Sequence, residues 1–181
     1  MGYVMVSGYL DQFTGLLVRP KSTLASLKQA PFRSACIHFL VVWGVFAILF
    51  CLAGLELNLF NRNLDLWYPV RFVMLVLAGW LFFGLVVHAV LRIISGPISA
   101  VKTYKAVLYA ATPLAVIGWI PFIGGLAFVW GLFIMKRGIV EYHEIPGGTA
   151  FFVLILSLVI GAMAFGMAYY FLPLAVTLRV S

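Results

Sequence analysis

Residues 106–135 form a thirty-residue stretch without a charged side chain, interrupted near its middle by Pro121. Basic residues flank this stretch at both ends: Lys102, Lys105, Lys136 and Arg137. One straight helix of that length would be about 45 Å long at ~1.5 Å per residue, whereas the hydrocarbon core of a bilayer is about 30 Å thick. A helical hairpin that turns within residues 118–125 removes the mismatch, because it returns both basic ends to one membrane face. Either arrangement predicts a membrane protein.

The composition leaves little room for a water-soluble fold. Of the 181 residues, 65% are hydrophobic and 9% are charged, whereas a soluble domain has about 25% charged residues. The net charge of +7 is spread over the ends of apolar segments and does not form one patch. This distribution is typical of the cytoplasmic ends of membrane helices and not of nucleic-acid binding. We therefore expect no nucleic-acid partner.

Apolar segments recur along the chain and predict an all-α integral membrane protein. We predict five transmembrane helices with a tight hairpin between the third and the fourth, at about residues 34–55, 72–91, 104–120, 122–140 and 150–172. This membrane domain, residues 34–176, follows an N-terminal region of residues 1–33. It precedes a short external tail of residues 177–181.

The basic residues predict the orientation of these helices. With a cytoplasmic N-terminus, nine of them lie inside: Arg19, Lys21, Lys28, Arg33, Arg92, Lys102, Lys105, Lys136 and Arg137. Three lie outside: Arg62, Arg71 and Arg179. Merging the hairpin into one span gives eight inside and four outside, so the positive-inside rule favours five spans. We expect a multi-pass protein of the cytoplasmic membrane with an external C-terminus.

The N-terminal region has helical periodicity before the first span. Leu10, Phe13 and Leu17 share one face, and Pro20 then starts a second short helix with Leu24 and Leu27 on one side. We predict amphipathic helices lying on the inner membrane surface, with four basic side chains near the lipid headgroups: Arg19, Lys21, Lys28 and Arg33. A solvated leader with accidental periodicity is the alternative.

The third span contains Pro113, which cannot donate the backbone hydrogen bond that the carbonyl of Tyr109 would accept in a helix. The hydroxyl of the neighbouring Thr112 is a candidate replacement donor. We predict a kink at Pro113, a turn at Pro121, and a crevice beside the second span that opens towards His88.

No sequence motif of a known catalytic site occurs, and all five acidic residues lie outside the predicted spans. His38 and His88 are the ionisable residues deepest in the spans. Neighbouring antiparallel helices would bring them together above Arg92 and beside Tyr109, as a candidate polar pocket. The alternative is that each histidine bonds a backbone carbonyl or interfacial water. We expect no catalytic or cofactor site. We also expect no metal site, since Cys36 and His38 point to different sides of their helix.

A series of motifs follows the second span: a Gly-containing loop, Tyr-x-x-x-Pro, a Pro–Gly break, a Trp, and a Gly followed by a His. These are Gly96, Tyr109 to Pro113, Pro121 with Gly124, Trp130, Gly138 and His143. Together with the segment RPKSTLASLKQAPF, the series resembles the Ypt/Rab-interacting-protein (YIP) domain family over about residues 16–165, as a minimal prokaryotic-type member. The resemblance implies a five-helix membrane domain with a cytoplasmic N-terminus. Eukaryotic relatives bind prenylated Rab-type GTPases, but this sequence lacks their acidic DL-x-GP-type motif, so a small GTPase is a partner only by family analogy.

Two functions fit these features. The first is a non-enzymatic membrane-organising or interaction protein whose partners are membrane lipids and a second copy or another membrane protein. The alternative is a transporter or channel for a small solute or lipid, lined from the bent third span and the region of His38 and His88. A channel needs a continuous polar stripe, and only Thr112 and Ser157 supply hydroxyls deep in the spans.

Overall fold

The computed structural model describes residues 2–56, 67–120 and 123–180, and this part of the chain is helical without strands. Its α-helices are α1 Gly2–Val18, α2 Pro20–Leu27, α3 Phe32–Glu56, α4 Trp67–Ser95, α5 Ala100–Ala110, α6 Gly124–His143 and α7 Gly147–Val180. A π-helical turn, Leu114–Gly118, lies between α5 and α6. Helix α7 therefore includes most of the predicted tail, and Pro121 lies outside the described residues.

Three of these helices are long and apolar enough to cross a bilayer. The qualifying segments are Phe32–Ala53, Pro69–Ser95 and Gly147–Met167, of 22, 27 and 21 residues. They correspond to the first, second and fifth predicted spans. The other two predicted spans do not qualify in the described residues, because α5 has 11 residues and α6 carries Lys136, Arg137 and Glu141 in its last turns. The five-span arrangement therefore remains a prediction.

Helix α5 occupies the centre of the bundle, and every residue from 105 to 115 is buried. It lies antiparallel to α6, and two glycines allow the close approach. A Cβ at Gly138 would lie 2.8 Å from the Cβ of Ala106, and one at Gly131 would lie 2.8 Å from the carbonyl oxygen of Ala110. Side chains at either position would push the two helices apart, so α5 and α6 pack in close antiparallel contact, and the hairpin of two membrane spans stays a prediction.

The backbone is rearranged around Pro113, where α5 gives way to the π-helical turn. The Thr112 hydroxyl donates to the Tyr109 carbonyl at 2.6 Å, in place of the missing proline N–H. The Ala111 N–H donates to Leu108 O at 3.4 Å, which frees the carbonyl of Val107. The indole Nε1–H of Trp80 on α4 donates to that carbonyl at 3.1 Å. Two side chains thus restore the hydrogen bonds that the proline disrupts.

Helices α1 and α2 pack against the bundle. Helix α2 begins at Pro20, as predicted, and Leu24 is fully buried against α6 near Gly138. Among residues 8–18 of α1, whose side chains are described, Leu16 is fully buried, whereas Leu10 is 56% exposed and does not belong to the packed face. The two helices therefore have protein contacts that the predicted interfacial placement does not include.

Candidate functional site

One end of the bundle collects the polar interactions, and Lys105 is at its centre. This lysine is 5% exposed, and its Nζ donates to the carbonyl oxygens of Leu27, Lys28 and Ala30 at 3.0, 2.9 and 2.7 Å. Carbonyls at a helix C-terminus have no partner within the helix, so the ammonium group caps α2. Its Nζ also lies 5.3 Å from the centre of the Tyr142 ring. Lys105 therefore joins α2, α5 and α6.

An ion pair lies beside this lysine. Lys28 Nζ donates to the carboxylate of Glu144 at 2.6 Å, directly after α6. This hydrogen bond, with the charge of the partner, raises the pKa of Lys28 and lowers the pKa of Glu144. Glu144 has a left-handed backbone, φ 57°, and its N–H donates to Val140 O to end the helix. Lys28 is thus paired with a carboxylate of the protein, and its predicted place near lipid headgroups stays a prediction.

Two histidines share one hydroxyl at the same end. His88 Nδ1 and His143 Nε2 lie 3.1 and 3.0 Å from Oγ1 of Thr103, which is fully buried on α5. Because the hydroxyl carries one hydrogen, at least one imidazole must donate to it. Burial, with the nearby charges of Lys102 and His88, lowers the pKa of His143 to about 4. The contact joins the ends of α4 and α6 to the start of α5.

The other spanning histidine has a separate environment. His38 Nε2 lies 2.9 Å from Thr112 Oγ1. The only hydrogen of that hydroxyl goes to the Tyr109 carbonyl, so His38 must donate through Nε2–H. Its buried Nδ1 has no hydrogen-bond partner among the described residues. The rings of Tyr9 and Tyr109 pack against the imidazole, with centroids 5.6 and 5.2 Å away.

The predicted polar pocket is therefore divided. His38 and Tyr109 lie together, as proposed, but His88 bonds Thr103, and Arg92 is exposed. Thr103 and Thr112 are nine residues apart, about 13 Å along a helix, and α5 separates the two histidines. The prediction placed His38 and His88 on directly facing helices and did not foresee α5 between them.

The remaining predicted surface residues line two different cavities. Arg19 and Lys21 are exposed and, with Arg137 and Phe133 of α6, line a basic groove of about 430 Å³. Arg33 lines a smaller cavity, of about 220 Å³, at the start of α3. The four residues predicted as one surface therefore divide into three sites.

An apolar cavity of about 610 Å³ lies in the opposite half of the bundle between α4 and α7. Its walls are almost wholly apolar and include Leu75, Gly79, Phe83, Leu158, Ala162 and Phe165. Leu114, which follows Pro113, and Phe128 complete the lining on the side of the hairpin. This cavity adjoins the second predicted span, but His88, towards which the predicted crevice opens, is not among its lining residues.

The sequence of the chain matches a known protein family. A model of the Yip1 domain matches residues 14–168, which is most of the chain. The chain belongs to the Yip1 domain family. This confirms the resemblance predicted over residues 16–165, and the Yip1 family is not known as an enzyme family. Comparisons with curated proteins and with solved structures gave no match.

Sequence reasoning missed the two residues that organise the polar end of this Yip1 domain. Lys105 was interpreted as a cation closing the membrane span, and Thr103 received no role. One signal was available, since a lysine at position 105 falls inside the predicted third span, residues 104–120. A lysine there needs acceptors within the protein, because lipid offers none.

Proposed function

We propose that this Yip1 domain is a non-enzymatic protein of the cytoplasmic membrane that organises its surroundings by binding lipid. The observation that carries the proposal is the apolar cavity between α4 and α7. Its volume of about 610 Å³ falls in the range of about 300–1,000 Å³ that ligand pockets have. Both helices are candidate membrane spans, so an acyl chain is the apolar group most abundant at this site.

Orientation is part of the proposal. In the five-span arrangement the polar end, with the starts of α3 and α5 and the ends of α4 and α6, faces the cytoplasm. The cavity then lies in the outer half of the bilayer, beside residues 75–83 and 158–165. A reporter fused after Ser181 is expected to be external. A cytoplasmic reporter would favour four spans.

Lipid binding explains the cavity better than solute transport. Trp80 and Phe83, which line the cavity, are 4% and 8% exposed, and Trp80 is fixed by its bond to α5. The polar side chains His88, Thr103 and His143 lie at the opposite end. The described residues thus show an apolar pocket and a separate polar cluster, which supports lipid retention over passage of a solute.

The proposal is tested by filling the cavity with an introduced side chain. A Cβ at Gly161 would lie 3.9 Å from the Phe83 ring, so Gly161→Leu places an apolar side chain into the cavity. Loss of two buried methylenes of a bound chain costs ~1.6 kcal/mol, or more than tenfold in affinity. Native mass spectrometry after mild delipidation is expected to show this loss of retained phospholipid. Gly44→Leu on α3, where a Cβ meets nothing within 4 Å, is the matched control. Equal lipid retention by both variants would contradict the proposal.

A further inference from the structure

A second cavity, at the start of α3, contains unpaired polar groups. It has a volume of about 220 Å³ and is lined by residues of α1 and of the first turns of α3: Tyr9, Gln12, Pro31, Arg33, Ser34 and Ile37. The hydroxyl of Tyr9 and Nε2 of Gln12 are buried and have no hydrogen-bond partner among the described residues. Buried polar groups are nearly always paired in native proteins, so these two groups indicate a place where a polar ligand can bind.

A third unpaired atom lies next to the cavity. His38 is 1% exposed and its Nδ1 has no partner, while its ring packs against the ring of Tyr9. Because Nε2 carries the hydrogen, Nδ1 is an acceptor and needs a donor, so it is not itself a contact for an anion. Tyr109, whose buried hydroxyl is also unpaired, packs against the same imidazole. Four of the five such atoms in the described residues therefore belong to side chains around this part of α3, and the fifth is on Tyr142.

The lining chemistry selects an anion. The Tyr9 hydroxyl, the Gln12 amide and the Ser34 hydroxyl can donate hydrogen bonds, and the Arg33 guanidinium adds a positive charge. Gln12 and Ser34 also interact with the Tyr109 hydroxyl, which leaves Tyr9 and Arg33 as the groups free for a ligand. The residues that line the cavity include no carboxylate. Phosphate oxygens, which accept several hydrogen bonds and carry negative charge, match this set.

The surrounding membrane indicates the source of the phosphate. The candidate span of α3 begins at Phe32, so the cavity lies where the hydrocarbon region meets the headgroups. Ile37, Val41 and Val45 continue from it along one face of α3 and are 48%, 45% and 40% exposed. We infer that this cavity binds the phosphate of an anionic phospholipid of the inner leaflet, with an acyl chain along that face. The inference takes its membrane placement from the proposed function but does not depend on the cavity between α4 and α7.

Native mass spectrometry of the full chain with phosphatidylglycerol and with phosphatidylcholine tests the site. The double variant Tyr9→Phe with Gln12→Leu, and Arg33→Gln separately, are expected to weaken phosphatidylglycerol binding about tenfold or more. Retention in the α4–α7 cavity is expected to be unchanged in these variants. Tyr142→Phe and Arg92→Gln are the controls, because Tyr142 also has an unpaired buried hydroxyl and Arg92 is an exposed cation at the same end. Both are expected to bind like the unmodified protein.

The melting temperature is a second readout. The inference and a purely structural role of the Tyr9 hydroxyl predict changes of opposite sign. Removing an unpaired hydroxyl relieves a desolvation cost, so Tyr9→Phe is expected to raise the melting temperature of lipid-free protein, as is Tyr142→Phe. A lower melting temperature with unchanged lipid binding would overturn the inference in favour of a water-filled cavity. Inorganic phosphate that displaces phosphatidylglycerol from the unmodified protein at equal concentration would overturn the lipid assignment. Gly161→Leu is expected to leave headgroup selectivity intact, so failure here is distinguishable from failure of the proposed function.

Discussion

In soluble proteins apolar side chains are buried and polar ones are exposed, and helices α5 and α7 show the opposite distribution. Thr103, Lys105, Thr112 and Pro113 lie in or directly after α5, yet Thr103 and all residues from 105 to 115 are buried. Helix α7 has an apolar segment, Gly147–Met167, of which 22% is buried within the protein. In lipid, apolar side chains gain nothing by moving inwards, whereas backbone and side-chain polar groups must find partners inside the protein. Polarity here marks the centre of the bundle.

The same contrast separates the two proposed binding regions. The polar half is fixed by hydrogen bonds to residues of α5, and the unpaired groups of the proposed phosphate site lie at the start of α3. The apolar half between α4 and α7 has few specific bonds and an open volume. We expect substitutions in the first region to change stability or headgroup choice, and substitutions in the second to change lipid retention.

Lys105 provides the largest expected effect. Lys105→Met removes the ammonium donor from three carbonyls at and just after the end of α2, of which only Leu27 O keeps another donor, the Ala30 N–H, at a cost of about 3 kcal/mol. Opening of α2 should rise about a hundredfold. Maleimide labelling of Leu24→Cys, in a background lacking Cys36 and Cys51, measures it, because Leu24 is fully buried. Lys102→Met, an exposed lysine one turn earlier, is the control, and equal labelling rates would show that the cap adds no stability.

Gly138 tests how tightly α5 must pack. Gly138→Ala places a Cβ 2.8 Å from the Ala106 Cβ and 3.2 Å from its Cα, so the two helices must separate. We expect a loss of about 1–3 kcal/mol, seen as a lower melting temperature in detergent. Gly44→Ala on α3 meets no atom within 4 Å and is expected to stabilise by up to about 1 kcal/mol. If both substitutions changed the free energy of unfolding in the same direction, close packing would not be confined to α5.

How much the sequence could predict depends on the kind of signal. Hydrophobic length identified the spans of α3, α4 and α7, because the thickness of the bilayer sets the length of a span. The charged residues marked where these apolar segments end. The break at Pro113 followed from the missing N–H, and Thr112 as its replacement donor followed from its adjacency. These are local effects, which a sequence displays directly.

Long-range pairing was not readable in this way. No pattern along the chain indicates that Trp80 donates to Val107, or that Lys105 reaches the end of α2, 75 residues away at Ala30. His38 and His88 do not meet, because they bond two different hydroxyls that lie nine residues apart, Thr112 and Thr103. Burial of α5 between them was hidden, since its apolar residues resemble those of a lipid-facing helix.

The repair at Pro113 has a smaller expected effect and can be measured as a coupling. Thr112→Val removes the donor to the Tyr109 carbonyl and the acceptor for His38, which costs about 2 kcal/mol. Pro113→Ala supplies a backbone N–H that can bond that carbonyl instead. In the double variant we expect about 1 kcal/mol of the loss to be recovered, measured as melting temperatures in a double-mutant cycle. Strict additivity would show that the hydroxyl does not replace the proline N–H.

His143, which follows the predicted fourth span, gives the smallest effect, and only in acid. Its folded-state pKa of about 4 is below the ordinary value of 6.5, so the unfolded chain binds more protons between these values. Stability is therefore complete above about pH 6.5 and falls as the pH drops towards 4, with a slope of at most ~1.4 kcal/mol per unit that solvent reduces at this partly exposed ring. We expect the melting temperature to fall between pH 7 and pH 5, and less so in His143→Gln. Glu144→Gln serves as the control, because the lowered pKa of that carboxylate confines its contribution to more acidic conditions. Identical slopes for the unmodified protein and His143→Gln would mean that protonation elsewhere limits the polar end.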